Sequence, residues 1–312
     1  NLYFSIGLLT HNPVLENIRK ILSVLETQTV EPAEILVIDD SEDEWWEEIS
    51  LPASARLMRP GNLSVPAKRN TVLSSARQPV VIFLDDDCIP ADDTWAQTHL
   101  EALDTHEAAA CGGPMLYDHE TVWGFCTNVS FFYEGQPRHG LPVQEIEKYF
   151  TGNLAVRRDL ALEAGGFDEN LHARGGSEDF AFCRELRENG HRILFARDAA
   201  VYHKHRRETF SAYMEYNVLR GDSAATARMT QREPSHARAG LLPRSILGSI
   251  LGAVPIATLF TGWIVYCNLQ VKQPVATKLG VLACSPLLLL GRLGYMWGYV
   301  GALVSRRQSS ET

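Results

Sequence analysis

The chain has 312 residues, 45% of them hydrophobic and 21% charged, which is enough to bury a full core and excludes disorder or collagen-like repetition. Its net charge of -9 is uneven: residues 1–200 carry 16 Lys/Arg against 33 Asp/Glu, and residues 201–312 carry 13 against 5. An acidic body repels phosphate, so no nucleic-acid partner is expected, and six cysteines without CxxC spacing (Cys88, Cys111, Cys126, Cys183, Cys267, Cys284) read as thiols in a reducing compartment.

Leu2 to Leu9 lacks the basic flank of a signal peptide and reads as a buried strand ending in the turn Thr10-His11-Asn12. Asn12 can cap a helix with Pro13 in its first position and Leu15, Ile18, Leu22 and Leu25 on one face. Glu34 to Asp39 is a second strand ending in acid. Trp45-Trp46, set among five acids, reads as a helix with a half-buried aromatic and a solvated acidic face. Ser64 can cap a helix opening Val65-Pro66, and Val80 to Leu84 is a central strand running into Asp85-Asp86-Asp87. This alternation predicts an α/β fold with a doubly wound, mostly parallel sheet and ligands at the carboxyl ends of its strands.

Cys111 to Phe150 is less regular, and its aromatic and Gly/Pro punctuation suggests antiparallel strands with a loop around Gln136 to Pro142. Order returns with Gly152-Asn153 to Val156, a helix near Arg158-Asp159, the turn Gly165-Gly166-Phe167-Asp168, and Gly175 to Phe182. Ser177 suits a cap that places Glu178 and Asp179 in a first helical turn, with Phe182, Cys183 and Leu186 facing the core. In the tail, residues 245–267 carry no formal charge and residues 279–304 form a second apolar stretch broken by Arg292, with Lys272, Pro274 and Lys278 in a loop between them. Each stretch is long enough to cross a bilayer, which needs about 20 apolar residues. Arg228, Arg232, Arg238 and Arg244 before them and Arg306 and Arg307 after them favour a hairpin with both ends cytoplasmic. The same flank explains Arg206, Arg207 and Arg220 without a ligand, and helices lying on the membrane are the alternative.

Three adjacent aspartates at a strand end repel one another, and a hard divalent cation resolves that repulsion; the alternative is a solvated turn carrying surplus acid. Strand alternation would present Asp85 and Asp87 together and turn Asp86 elsewhere. Asp39 and Asp40 reach the same edge, where a carboxylate can meet a ribose or base. With neither GxGxxG nor a P-loop, the expected ligand is a mononucleotide whose diphosphate is held through metal. His11, His99, His106, His119 and His139 are scattered without metal-ligand spacing.

Taken in series, Thr10-His11-Asn12, Ile38-Asp39-Asp40-Ser41, Pro60-Gly61-Asn62 with Ala67-Lys68-Arg69-Asn70, Asp85-Asp86-Asp87, Gly152-Asn153, Gly165-Gly166-Phe167-Asp168 and Gly176-Ser177-Glu178-Asp179 resemble a family 2 glycosyltransferase of the GT-A fold. The resemblance covers about residues 3–210 and implies metal-dependent, inverting transfer of a sugar from a nucleoside diphosphate. It implies that Thr10, Asn12, Asp39 and Asp40 line the base and ribose pocket, that Lys68, Arg69, Asn70, Gly152 and Asn153 help hold the nucleotide-sugar, and that Asp85 and Asp87 meet metal and ribose, with Asp86 able to exchange roles. His203 matches a position where relatives supply an imidazole metal ligand; its alternative is a surface histidine in a basic loop. Oxygen ligands fit Mg or Mn, and an imidazole tilts the choice to Mn. Asp179 is the expected catalytic base with Glu178 beside it, although acids at a helix start also simply complement its dipole.

The implied layout is a catalytic domain over residues 1–230, with a nucleotide-binding half to about 110, an acceptor half from 111, and membrane-associated helices over 231–312. The implied acceptor is a glycan or lipid-linked molecule, at a cell membrane with the catalytic domain facing the cytoplasm. A sugar-1-phosphate nucleotidyltransferase and a non-catalytic nucleotide-sugar-binding membrane protein are the alternatives; the former lacks its Gly-rich basic loop. No QxxRW motif is present, which favours single transfer over processive synthesis.

Overall fold

The computed structural model describes residues 3–61, 63–131, 141–171, 177–229, 246–270 and 274–310. Asn62, the Gln136 end of the expected loop, His139, Gly175, Gly176, Arg232, Arg238, Arg244 and Lys272 lie outside the described residues, as do the side chains of Ser177, Arg228, Arg306 and Arg307. The elements follow in the order β1 (Phe4–Thr10), α1 (Leu15–Glu26), β2 (Glu34–Asp39), β3 (Ala55–Met58), α2 (Val65–Ser75), β4 (Val80–Asp85), β5 (Cys88–Pro90), α3 (Trp95–Thr105), β6 (Ala110–Gly112), β7 (Met115–Tyr117), α4 (Val122–Phe131), β8 (Val143–Ile146), β9 (Asn153–Arg157), α5 (Arg158–Glu163), α6 (Ser177–Glu188), β10 (Ile193–Ala196), β11 (Val201–His203), α7 (Phe210–Met229), α8 (Ile246–Gln270), α9 (Val275–Ala283) and α10 (Ser285–Ser310). They fall into two compact units: Asn1–Tyr117, Gly140–His172 and Glu178–Lys204 in the first; Asp118–His139, Ala173–Ser177 and His205–Thr312 in the second.

The first unit is built on an eight-stranded sheet of order β3-β2-β1-β4-β9-β6-β10-β8. β3, β2, β1 and β4 are mutually parallel, whereas β9 runs antiparallel to β4 and β6. Alternation along each strand feeds two cores. Phe4, Ile6, Leu8, Ile35, Val37, Val80, Ile82 and Leu84 meet α1 and α3 on one face; Leu9, Leu36, Ile38, Val81 and Phe83 meet α2, α5 and α6 on the other. A smaller sheet, β5-β11-β7, pairs β11 antiparallel with β5.

Several local expectations change. Asn12 does not cap α1, whose first turn follows Val14 without a side-chain cap. Its backbone is left-handed (φ 46°), its N–H donates to Ser41 Oγ (2.7 Å) and its Oδ1 accepts from Glu42 N (3.3 Å), so the side chain ties the β1 turn to the segment after β2. Ser64 does cap α2, accepting from Ala67 N at 3.4 Å, with proline at the start of the helix. The acidic Trp pair does form a helix, a short one of the 3-10 type over Trp45–Glu48, with Trp45 buried and Glu47 and Glu48 exposed. The antiparallel segment expected after Cys111 contains a helix, α4, which belongs to the second unit.

In that unit α7 and α10 pack along one another, and α8 lies against α10. Two windows, Gly248–Gln270 and Ser285–Ser305, are long and apolar enough to cross a membrane by length and composition. The second apolar stretch is divided, because α9 ends at Ala283 and α10 begins Ser285-Pro286. Pro286 sits in the first turn of α10, where its missing N–H costs no helix bond, whereas Pro255 lies inside α8; Lys278 lies in α9 rather than in the loop.

Candidate active site

The parallel strands deliver their last residues to one edge of the sheet. Thr10 ends β1, Asp39 ends β2, Asp85 ends β4, and Arg59 follows β3 directly. Asp39 is fully buried: its Oδ1 accepts from Thr10 Oγ1 (2.8 Å), Ser41 Oγ (2.5 Å) and Trp45 Nε1 (2.9 Å), and its Oδ2 lies 3.2 Å from Arg59 Nε. Burial alone would push this carboxyl up, but the bonds from Ser41, Trp45 and Thr10 outweigh it and hold the pKa below its ordinary value. Asp40 pairs with Lys68 Nζ and with His11 Nδ1 (2.9 Å), and Lys68 also donates to Thr10 O (2.9 Å). Asp86 lies in the turn after β4, outside any strand alternation, and its Oδ2 accepts from His11 N at 3.2 Å.

On the other flank, β11 pairs with β5 in a register that sets His203 opposite Cys88. His203 is therefore buried in a strand, not exposed on a basic loop, and its Nε2 lies 3.4 Å from Asp87 Oδ2. Ligand atoms of Asp87, Cys88 and His203 lie within 4.8 Å of one another. Burial and the nearby Asp87 and Asp85 push the Cys88 thiol well up, and its Sγ donates to Asp87 Oδ1 (3.5 Å), which leaves carboxylate oxygens and an imidazole as the donor set. Desolvation raises Asp85 to about 6, opposed by Arg69 and reinforced by Asp87 and Asp179. A recess that holds its own carboxylate in such tension favours a cation, and oxygen with one nitrogen suits Mg or Mn.

A third group links that recess to the acid helix. Arg69, almost fully buried on α2, donates through Nη1 to Asp179 Oδ1 (2.7 Å) and Glu178 Oε1 (3.2 Å), while its Nη2 lies 3.8 Å from Asp85 Oδ1. Thr151 Oγ1 also donates to Asp179 Oδ1. Glu178 is raised to about 7, first by desolvation and then by Asp179, against the pull of Arg69. Its place in the first turn of α6 puts the helix dipole in favour of either anion.

The structure brings Thr10, Asp39, Asp40, Lys68, Arg69, Asp85, Asp86, Asp87, Glu178, Asp179 and His203 to this edge or to groups touching it. Three expected residues support it from behind. Asn153 is fully buried, its Oδ1 bonded to Trp95 Nε1 (2.9 Å) and His99 Nε2 (3.0 Å) and its Nδ2 donating to Gly113 O (2.8 Å) and Ala199 O (2.9 Å), so its amide holds strands together rather than facing a ligand. Asn70 clasps the Gly166-Phe167 turn, donating to Phe167 O (2.9 Å) and accepting from Phe167 N (2.8 Å). Gly152 lets the chain pass behind Asp85; a Cβ there would come within 2.7 Å of Asp85 Oδ2. Sequence reasoning passed over Thr151, Trp45 and Arg59. Thr151 adjoins the Gly152-Asn153 motif, but nothing local marks the partners of Trp45 or Arg59.

Residues 5–163 match the sequence profile of the family described as Glycosyl transferase family 2. Two relatives come from Haloferax volcanii: a glucosyl-dolichyl phosphate glucuronosyltransferase, 24% identical over 196 residues (57% of this chain, 61% of the relative), and glycosyltransferase AglE, also 24% identical over 196 residues (60% and 62%). The matched region thus spans about three fifths of the length of these relatives. Among solved structures, mannosyltransferase PcManGT from Pyrobaculum calidifontis, in complex with GDP-Man and Mn2+, aligns over 100% of this chain and 88% of its own with a TM-score of 0.56. At 15% identity that likeness is one of fold, the GT-A fold.

Proposed function

The chain belongs to glycosyl transferase family 2, and on that premise we propose that it is an inverting glycosyltransferase moving a sugar from a nucleoside-diphosphate sugar to a glycan or lipid-linked acceptor at a membrane. The observation that carries this reading is the Asp85–Arg69–Asp179 ion-pair chain, which sets a cation-seeking recess beside a helix-start acid pair. The proposed layout has a nucleotide-binding half up to about residue 110, an acceptor half from 111 to 230, and membrane-associated helices over 231–312 with the catalytic part facing the cytoplasm.

Asp85, Asp87 and His203 would hold a divalent cation, Mn or Mg, which supplies positive charge against the leaving diphosphate. Thr10, Asp40 and Lys68 border the nucleoside, with Asn12 and Asp86 bracing the loop between them. On the acceptor side, Asp179 takes the proton of the attacking hydroxyl at a carboxylate oxygen, while Glu178 beside it keeps a proton up to about pH 7. Arg69 and Thr151 fix the Asp179 carboxylate in place.

The test uses the full chain with Mn or Mg and a panel of nucleotide sugars and lipid-linked acceptors. Metal-dependent transfer is expected, with the anomeric configuration inverted and activity lost to a chelator. Asp179→Asn should cut transfer by about 10²-fold or more, the scale of general-base loss, while donor binding persists. A folded protein that neither transfers nor hydrolyses any donor overturns the reading.

A further inference from the structure

The site as built also indicates which bases its donor carries, an inference that rests on the nucleotide-sugar reading above. Along the edge of the sheet the carboxyl ends follow in the order β3, β2, β1, β4, so Arg59, Asp39, Thr10 and Asp85 succeed one another. Neighbouring strands lie about 4.8 Å apart, so the three steps from β3 to β4 cover about 14 Å. That matches the reach of a nucleoside diphosphate from its base to its terminal phosphate. With the phosphates at the Asp85, Asp87 and His203 end, the base lies toward β3.

At that end Asp39 is closed to a ligand by burial, although its Oδ2 makes no hydrogen bond. It is fully buried, Oδ1 already accepts three bonds, and Oδ2 faces Arg59. What remains outward is Arg59, whose side chain is 36% exposed and whose guanidinium lies over the Trp46 ring, 4.1 Å from its centroid. Its Nε faces Asp39 and its Nη2 donates to Ser41 O (2.5 Å). Of the five N–H groups of a guanidinium, three are then left without a partner among the described residues, and all of them are donors.

The part of a base farthest from its ribose is the substituent at C4 of a pyrimidine or C6 of a purine. Uracil, thymine and guanine carry a carbonyl oxygen there; cytosine and adenine carry an amino group, which would set donor against donor. Guanine adds N7 beside O6, the acceptor pair that an arginine fork meets with two bonds. We propose that Arg59 is the specificity-determining residue for the donor base, that it selects 4-oxopyrimidine and 6-oxopurine nucleotides, and that Asp39 is a positioning residue that clamps it.

The experiment is calorimetric titration of the full chain, in the presence of Mn2+, with UDP, dTDP, GDP, CDP and ADP. At least one of UDP, dTDP and GDP should bind about tenfold more tightly than CDP and ADP, the low end of discrimination by a good arginine–base contact. Arg59→Met, which keeps an apolar stem over Trp46, should bring the five nucleotides to nearly equal, weaker affinities. Arg59→Lys keeps the charge beside Asp39 and hence the fold, and as a donor-only group without the guanidinium fork it should keep the preference only in part. CDP or ADP binding as tightly as the best oxo nucleotide overturns the proposal. So does a variant that weakens all five equally with the preference intact, which marks a purely structural arginine. Failure of every nucleotide to bind the folded wild type instead removes the nucleotide-sugar reading, and this inference with it.

Discussion

Arg69 carries more of the site than any other single side chain, because its guanidinium faces Glu178, Asp179 and Asp85 from a buried position. Removing one member of a buried ion cluster leaves the others uncompensated, at a cost of about 3–5 kcal/mol. Arg69→Met is therefore expected to lower stability by about that amount in urea unfolding, with transfer lost alongside. Glu178 gives a pH signature of known sign. Its pKa rises from an ordinary 4.5 to about 7 on folding, so between those values the folded chain binds more protons than the unfolded one. Stability from this group is fully present below about pH 4.5 and declines as pH rises toward 7. Glu178→Gln should flatten that decline, read as the urea midpoint at pH 5 against pH 7.5; an unchanged slope would assign it elsewhere. Asp39 acts in the opposite sense, its lowered pKa giving stability that is lost as pH falls through the folded value.

At the scale of elements, α2 shows how one capped turn distributes three tasks. Ser64 and Pro66 start it, after which Lys68 turns to the β1 and β2 ends, Arg69 to the acid helix, and Asn70 to the Gly166-Phe167 turn. The helix and its cap follow from local chemistry; those three directions do not. The start of β9 makes a comparable demand on space, since Gly152 backs directly onto Asp85. Gly152→Ala should displace the Asp85 carboxylate and weaken Mn2+ binding at least severalfold in titration, while the thermal midpoint changes little. Intact metal affinity in that variant would show that Asp85 is not held from behind. Asn153, one position on, was legible as part of a motif, yet its bonds to Trp95 and His99 make it a brace for α3.

At the scale of the molecule, residues 1–200 carry an excess of acids and residues 201–312 an excess of bases. α8 and α10 contain the two membrane-length windows, and α8 leaves Leu251, Val254, Leu259 and Tyr266 exposed. Apolar side chains standing outward along a helix suit lipid better than water. The full chain is expected to stay in the membrane pellet after an alkaline carbonate wash; release by that wash would show helices resting on the surface instead.

The sequence by itself determined where acids meet strand ends, that two cores flank a sheet, and that the tail is long enough to enter lipid. Each of these depends on the period of apolar residues and on neighbours a few positions away. Tertiary structure alone decided that Arg69 meets acids 109 and 110 positions distant, that a strand register sets His203 against Asp87, and that Oδ1 of Asp39 is filled by Thr10, Ser41 and Trp45. The reason is physical: a polar side chain's partner is fixed by which strands pair and which helix packs over them. That choice minimises the energy of the whole core and leaves no trace in the residues beside it.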